Sequence, residues 1–170
     1  MTRITTLLTG TANIFNFTSG TVLIIGYGNP GRIDDGLGPA LAARLDACAI
    51  KGVSVETDYQ LVVEHAHEIA QHDYVIFADA AMTGTAPFSF NEIPIFVNQP
   101  KFHSHSLSPE AAMFIARTMF GAKTKGYLLG IRGYDYDGFG EGISERAKEN
   151  LEAATRFIMG LLGQGSPPSG

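Results

Sequence analysis

A three-layer α/β/α sandwich around a mostly parallel, twisted sheet is the fold class this sequence predicts. Three observations predict it. Short apolar runs rich in β-branched residues alternate with stretches of helical periodicity, in the order β, α, β, α, β. The first run, Thr21 to Gly26 (TVLIIG), has no polar face, as expected of a strand covered on both sides. Finally, Asp34, Asp35, Asp58 and Asp79 fall at or just beyond predicted strand ends, the edge of such a sheet where ligands bind.

The elements follow in order. After the first strand, Asp34 or Asp35 caps a helix in which Leu37, Leu41 and Leu45 recur, and which ends by Gly52. Residues 53–58 (VSVETD) form a second strand, 62–71 a short helix rich in Glu, His and Ala, and 74–79 (YVIFAD) a third strand. Residues 89–97 alternate as a strand, with Glu92 and Pro94 favouring an edge position. Ser108-Pro109-Glu110 open a helix reaching about Phe120, with Ser as cap and Pro at the first helical position. Residues 126–132 (GYLLGIR) are the last strand, and Ser144 begins an amphipathic helix through Leu151, Ala154, Phe157, Ile158 and Leu161.

Composition bounds the rest. A chain of 170 residues with 45% hydrophobic content suits one domain over 21–162. Residues 1–20 are expected to be a flexible extension, and 163–170 (GQGSPPSG) a disordered tail. A net charge of −5 argues against nucleic acid and anionic lipid as partners. The apolar runs are far shorter than the roughly 20 residues that cross a bilayer. Cys48 is the only cysteine, which excludes an internal disulfide and a multi-thiolate zinc site; it reads as a buried residue of the first helix. A cytoplasmic address and a monomeric state are expected.

Gly26-Tyr-Gly-Asn-Pro-Gly31 formally matches the dinucleotide pattern G-x-G-x-x-G between a strand and a helix. Pro30 is awkward in that turn, and the carboxylates of Asp34 and Asp35 would repel a pyrophosphate. The same stretch is similar to the start of peptidyl-tRNA hydrolases, but Ile33-Asp34-Asp35-Gly36 stands where their catalytic His-Asn pair belongs. Neither a nucleotide nor tRNA is favoured.

Among the acids, Asp34 can serve as helix cap, leaving Asp35 to face the crevice. Asp79 closes an apolar strand, where burial of a charge is costly unless something charged comes near. His103 and His105, two apart in an extended segment, point to one side. His65 and His67 fall on different faces of a helix and read as solvated, while His72-Asp73 reads as a surface turn. No G-x-S-x-G elbow or Ser, His, Asp constellation is present.

Taken whole, Ile24 to Gly38 (IIGYGNPGRIDDGLG) resembles the opening signature of the nickel–iron hydrogenase maturation proteases. That family has a Gly-x-Gly-Asn loop, then Asp-Asp or Asp-Glu, then Gly-x-Gly. The resemblance continues in Val75 to Ala80 (VIFADA), in Ser104 to Pro109 (SHSLSP), in Tyr59-Gln60-Leu61 with Glu64, and in Gly130 to Asp135 (GIRGYD) leading into Gly140 to Ser144.

The resemblance implies a phosphorylase/hydrolase-like sandwich and an endopeptidase that removes the C-terminal extension of a hydrogenase large-subunit precursor after nickel insertion. It implies Asp35, Asp79 and His105 as metal-contacting catalytic residues, with nickel supplied by the precursor, no tightly bound cofactor, and zinc or cadmium able to occupy the site in vitro. Two carboxylates and an imidazole suit such borderline divalent metals and leave coordination positions open. Asp58, Glu64 and Arg132 stand second, as groups that position substrate. A non-catalytic metal or metalloprotein chaperone would use the same three ligands, and peptide cleavage separates the two readings.

Overall fold

The computed structural model describes residues 16–95 and 106–165. Five strands, β1 (Val22–Tyr27), β2 (Val53–Asp58), β3 (Tyr74–Ala81), β4 (Phe88–Glu92) and β5 (Lys125–Arg132), form one sheet in the order β2-β1-β3-β5-β4. All neighbours run parallel except β4, which lies antiparallel to β5 at the edge. The helices are α1 (Leu37–Ala47), α2 (His65–Ala70), α3 (Pro109–Phe120) and α4 (Glu145–Leu161).

Alternation along β1 explains the layers. Val22 and Ile24 pack with Leu37, Leu41 and Leu45 of α1 and Leu151 and Ile158 of α4. Leu23 and Ile25 point the other way, into Ala66 and Ile69 of α2 and Ala112, Met113 and Ala116 of α3. Both faces of the strand are therefore buried, and each such Ile or Leu contributes about 1.5–3 kcal/mol of transfer free energy. The sandwich is the one predicted.

Several boundaries differ from the expectations, each for a physical reason. The folded unit begins before Thr21: Phe17 is buried, its N–H donates to the Leu161 carbonyl (3.1 Å), and its ring lies 4.7 Å from that of Tyr74. The rest of the predicted extension, residues 1–15, and of the tail, 166–170, lies outside the described residues. Strand β3 continues past Asp79 to Ala81, because Asp79, Ala80 and Ala81 are paired with Gly130, Ile131 and Arg132 of β5. A charged residue ends an apolar run but does not end a ladder whose partner strand continues.

Neither Asp34 nor Asp35 caps α1. A short 3-10 turn, Ile33–Gly36, intervenes, and Gly36 is the cap residue with no side-chain hydrogen bond. The Ser108 cap forms as predicted, its Oγ accepting from Ala111 N (3.1 Å), and Ser144, where the last helix was expected to open, caps it too, its Oγ accepting from Ala147 N (3.4 Å). Cys48 sits at the C-terminal end of α1, half-buried, donating to the Arg44 carbonyl (3.3 Å), rather than inside the helix.

Candidate active site at the carboxyl edge of the sheet

The glycines of the 26–38 segment exist for backbone contact. A Cβ on Gly26 would lie 2.3 Å from the Gly38 carbonyl oxygen, and one on Gly38 would lie 2.3 Å from the Ala78 oxygen and 2.5 Å from that of Tyr27. The start of α1 is thus pressed onto the ends of β1 and β3 more closely than any side chain permits. Gly28, at φ +139, carries the chain round this corner, and a Cβ there would collide with the Asp35 carbonyl oxygen at 2.1 Å. The loop is shaped to bring the acids to the sheet rather than to cradle phosphate.

The two adjacent acids then diverge. Asp34 is fully buried, and its Oδ2 accepts from the backbone N–H of Tyr134 (2.8 Å) and Asp135 (2.9 Å) and from the Ser144 hydroxyl (2.7 Å). Its Oδ1 accepts from Ser144 N (2.8 Å). Burial raises its proton affinity, but these donors outweigh that and hold the carboxyl below its usual range. Asp34 therefore does not reach the crevice. Asp35, half-exposed, accepts among the described residues only from Asn29 N (2.9 Å) through Oδ2, which anchors one oxygen.

Ile33, immediately before them, has φ 51, an outlier for a β-branched residue. It is held there by contacts with the loop after β5, where its N–H donates to the Gly140 carbonyl (3.3 Å) and a Cβ on Gly138 would strike its Cδ1. The strain is stored next to Asp35, where the turn must aim that side chain.

Asp79 approaches from the adjacent strand. Period two along β3 puts Asp79 on the same face as Val75 and Phe77, and along β1 puts Tyr27 with Leu23 and Ile25. Since Ile25 is paired with Phe77, Tyr27 and Asp79 come side by side, and Tyr27 hydrogen-bonds to the Asp79 carboxyl. Burial pushes the Asp79 pKa up to about 6; the Ala80 N–H (2.8 Å) and Tyr27 oppose this, and the charge of Asp35 adds to it. Tyr27 itself is pushed well above its usual value by burial and by Asp79, with Glu110 at the start of α3 contributing. Asp35 and Asp79 thus share one electrostatic environment.

Sequence reasoning missed two tyrosines there. Tyr27 was legible from its parity with Ile25. Tyr136 was not, because it lies on the loop between β5 and α4, whose path no periodicity describes. Its hydroxyl is buried without a hydrogen-bond partner among the described residues, and a Cβ on Gly133 would lie 2.4 Å from it. Burial, then the charge of Asp34, push its pKa up to about 12, with Asp79 and Asp35 adding to the shift against Arg132. The phenol remains a donor at any ordinary pH.

The remaining candidates distribute as follows. His105 and its rival His103 lie outside the described residues, and among the described ones no group of three His, Cys, Asp or Glu is placed to hold a metal. Asp58 ends β2, with its carbonyl accepting from Gly28 N (3.1 Å) and its carboxylate from Tyr59 N (2.7 Å). Glu64 is exposed beside α2. Arg132 is committed to main chain, donating to the carbonyls of Ala81 (3.3 Å), Met82 and Gly133 (2.8 Å), and so ties the loop after β3 to the end of β5.

His65 is buried rather than solvated: its Nδ1 accepts from Val62 N (3.0 Å) and its Nε2 lies 3.7 Å from Glu56 and 3.9 Å from Asp58. The helix is too short and too close to β2 to leave that face open. His67 is exposed, as expected. His72 bridges the Glu68 carbonyl (2.8 Å) and Ser54 Oγ (3.1 Å) and so belongs to a helix-to-strand link, not a free turn.

No family model matches the chain, and no curated protein matches it. Solved structures do. A NiFe hydrogenase maturation protease, HycI from Thermococcus kodakarensis KOD1, superposes with a TM-score of 0.67 at 23% identity over 87% of this chain and 96% of its own. The hydrogenase maturating endopeptidase HybD from E. coli gives 0.65 at 20% identity, over 84% and 92%. The hydrogenase 2 maturation peptidase from Thaumarchaeota archaeon SCGC_AB-539-E09 gives 0.61 at 18% identity, over 84% and 98%. The five-stranded sandwich is therefore the fold of the hydrogenase maturation proteases.

Proposed function

We propose that this chain is a hydrogenase maturation endopeptidase, which cuts the C-terminal extension from a large-subunit precursor that carries nickel. The observation that carries the reading is the convergence of Asp35 and Asp79, from the turn after β1 and from β3, at the carboxyl edge of a sheet with this fold. Asp34 is consumed by structure, so these two are the acids left to act.

In this reading Asp35, Asp79 and His105 contact the nickel of the precursor, which is part of the substrate. The scissile peptide is thereby held over the acid pair, and a precursor without metal is passed over. Burial pushes the carboxyl of metal-free Asp79 up to about 6, and in this reading the oxygen that Asp79 does not commit to nickel is the base that takes a proton from water. The water oxygen bonds to the scissile carbonyl carbon as its proton passes to Asp79. The carbon–nitrogen bond then breaks, and the proton goes to the leaving amine.

Mixing the purified chain with its cognate precursor, with and without nickel, tests this by mass spectrometry. A mass loss equal to the extension is expected only with nickel. Asp35→Ala, Asp79→Ala and His105→Ala should each abolish it while the protein remains folded by circular dichroism. Binding of the precursor without cleavage by the wild-type chain would favour a chaperone instead.

A further inference from the structure

Seven large apolar side chains are exposed among the described residues, and four of them, Tyr59 (69%), Val63 (54%), Met82 (64%) and Phe139 (88%), share one edge of the molecule. Tyr59 and Val63 follow the carboxyl end of β2, Met82 that of β3, and Phe139 that of β5. β3 also carries Asp79, so these apolar side chains rise from separate loops at the same edge of the sheet as the acid pair. Two contacts draw the loops together: Arg32, next to the turn bearing Asp35, lies 5.9 Å from the Phe139 ring centre, and Arg132 holds the Met82 carbonyl. Exposed apolar groups scattered singly need no explanation, but a rim of them around a site marks a protein interface.

Charge narrows the partner. Asp137 and Glu141 flank Phe139, both exposed and neither in an ion pair among the described residues. With Arg32 as the cation beside them, this part of the rim is acidic. An apolar patch with two such carboxylates on one side is complementary to a surface with an apolar centre and a basic margin.

We infer that Tyr59, Val63, Met82 and Phe139 form a docking face for the folded body of the precursor, whose matching surface is apolar with basic residues at its margin. The inference rests on the proposed peptidase reading and extends it: recognition reaches well beyond the metal and the cut peptide bond. A short peptide would need only a groove at the acid pair, whereas side chains raised on separate loops fit a broad surface. The acidic margin would steer the encounter, and the apolar side chains would hold the complex.

The test measures precursor binding by calorimetry and processing in parallel, at low and high salt, for the full-length chain. The Met82→Ser/Phe139→Ser double variant should weaken binding and raise KM by about ten-fold or more, with kcat within about two-fold and no change in thermal unfolding. Asp137→Lys/Glu141→Lys should slow association and abolish or invert its salt dependence. If the wild type binds and cleaves but both variants match it, the docking face is wrong and the peptidase reading stands. If the wild type neither binds nor cleaves any precursor, the peptidase reading itself fails. Should sedimentation show instead that the apolar face joins two copies of this chain, and that the serine variant separates them, the proposed occupant is overturned.

Discussion

Asp34 and Ser144, 110 positions apart in the chain, are joined by two hydrogen bonds: Ser144 N to Asp34 Oδ1 at 2.8 Å and Ser144 Oγ to Asp34 Oδ2 at 2.7 Å. Ser144 also caps α4, so one hydroxyl couples the turn after β1 to the last helix. The acid beside the candidate catalytic Asp35 is thus the pin that fixes where Asp35 stands.

Replacing Asp34 by Ala takes the acceptor from the part-buried donors of Tyr134, Asp135 and Ser144, at about 1–3 kcal/mol for each one that water cannot reach. A loss of at least about 3 kcal/mol in urea unfolding is expected. Because the Asp34 carboxyl is held below its usual value of 3.8, its contribution is complete above that pH and disappears as pH falls through the depressed value. The wild type should therefore lose stability below about pH 4, with a component missing from Asp34→Asn. An unfolding midpoint in Asp34→Ala equal to wild type would contradict this account.

Asp79 has the opposite sign. A carboxyl raised from 3.8 to about 6 costs nothing below its unfolded value and destabilises increasingly as pH rises toward and through 6. Asp79→Asn should be more stable than wild type at pH 8, by at most about 3 kcal/mol and read as a higher thermal midpoint, and nearly unchanged at pH 4. The same variant should lose processing. Stability gained where activity disappears is the signature of a charge buried for function.

Gly38→Ala places a methyl group between the carbonyl oxygens of Ala78 and Tyr27, at 2.3 and 2.5 Å. Neither oxygen is on a flexible side chain, so α1 must lift from the sheet. A cost of about 3 kcal/mol, or failure to fold, is expected from chemical denaturation. A folded, fully active Gly38→Ala protein would mean that the close approach is not required.

Tyr136→Phe removes a buried hydroxyl that has no partner among the described residues. Its loss should leave stability unchanged or raise it by up to about 1 kcal/mol, measured by thermal unfolding, where loss of a satisfied buried hydroxyl would lower it. A clear fall in the unfolding midpoint would show that the phenol is bonded in solution.

Much of the architecture was readable residue by residue. The Val22–Tyr27 and Lys125–Arg132 strands, the edge position of Phe88–Glu92, and the Ser108 and Ser144 caps all depend on rules that act within a few positions. The turn after β1 was misread. Asp34 carries the side chain of a helix cap, but its partners lie a hundred residues away, and no local pattern announces them. The burial of His65 is hidden from the sequence for the same reason: it comes from β2, not from its own helix.

What the sequence determined by itself is the alternation of elements, the two covered faces of the sheet and the placing of acids at its carboxyl edge, because hydrophobic period and chain order impose these directly. Tertiary structure alone decided which distant groups hold Asp34, that Tyr27 lies against Asp79, and that Tyr136 is buried near them. Those outcomes depend on hydrogen bonds and desolvation between segments far apart in the chain, and these take values only once the segments have met.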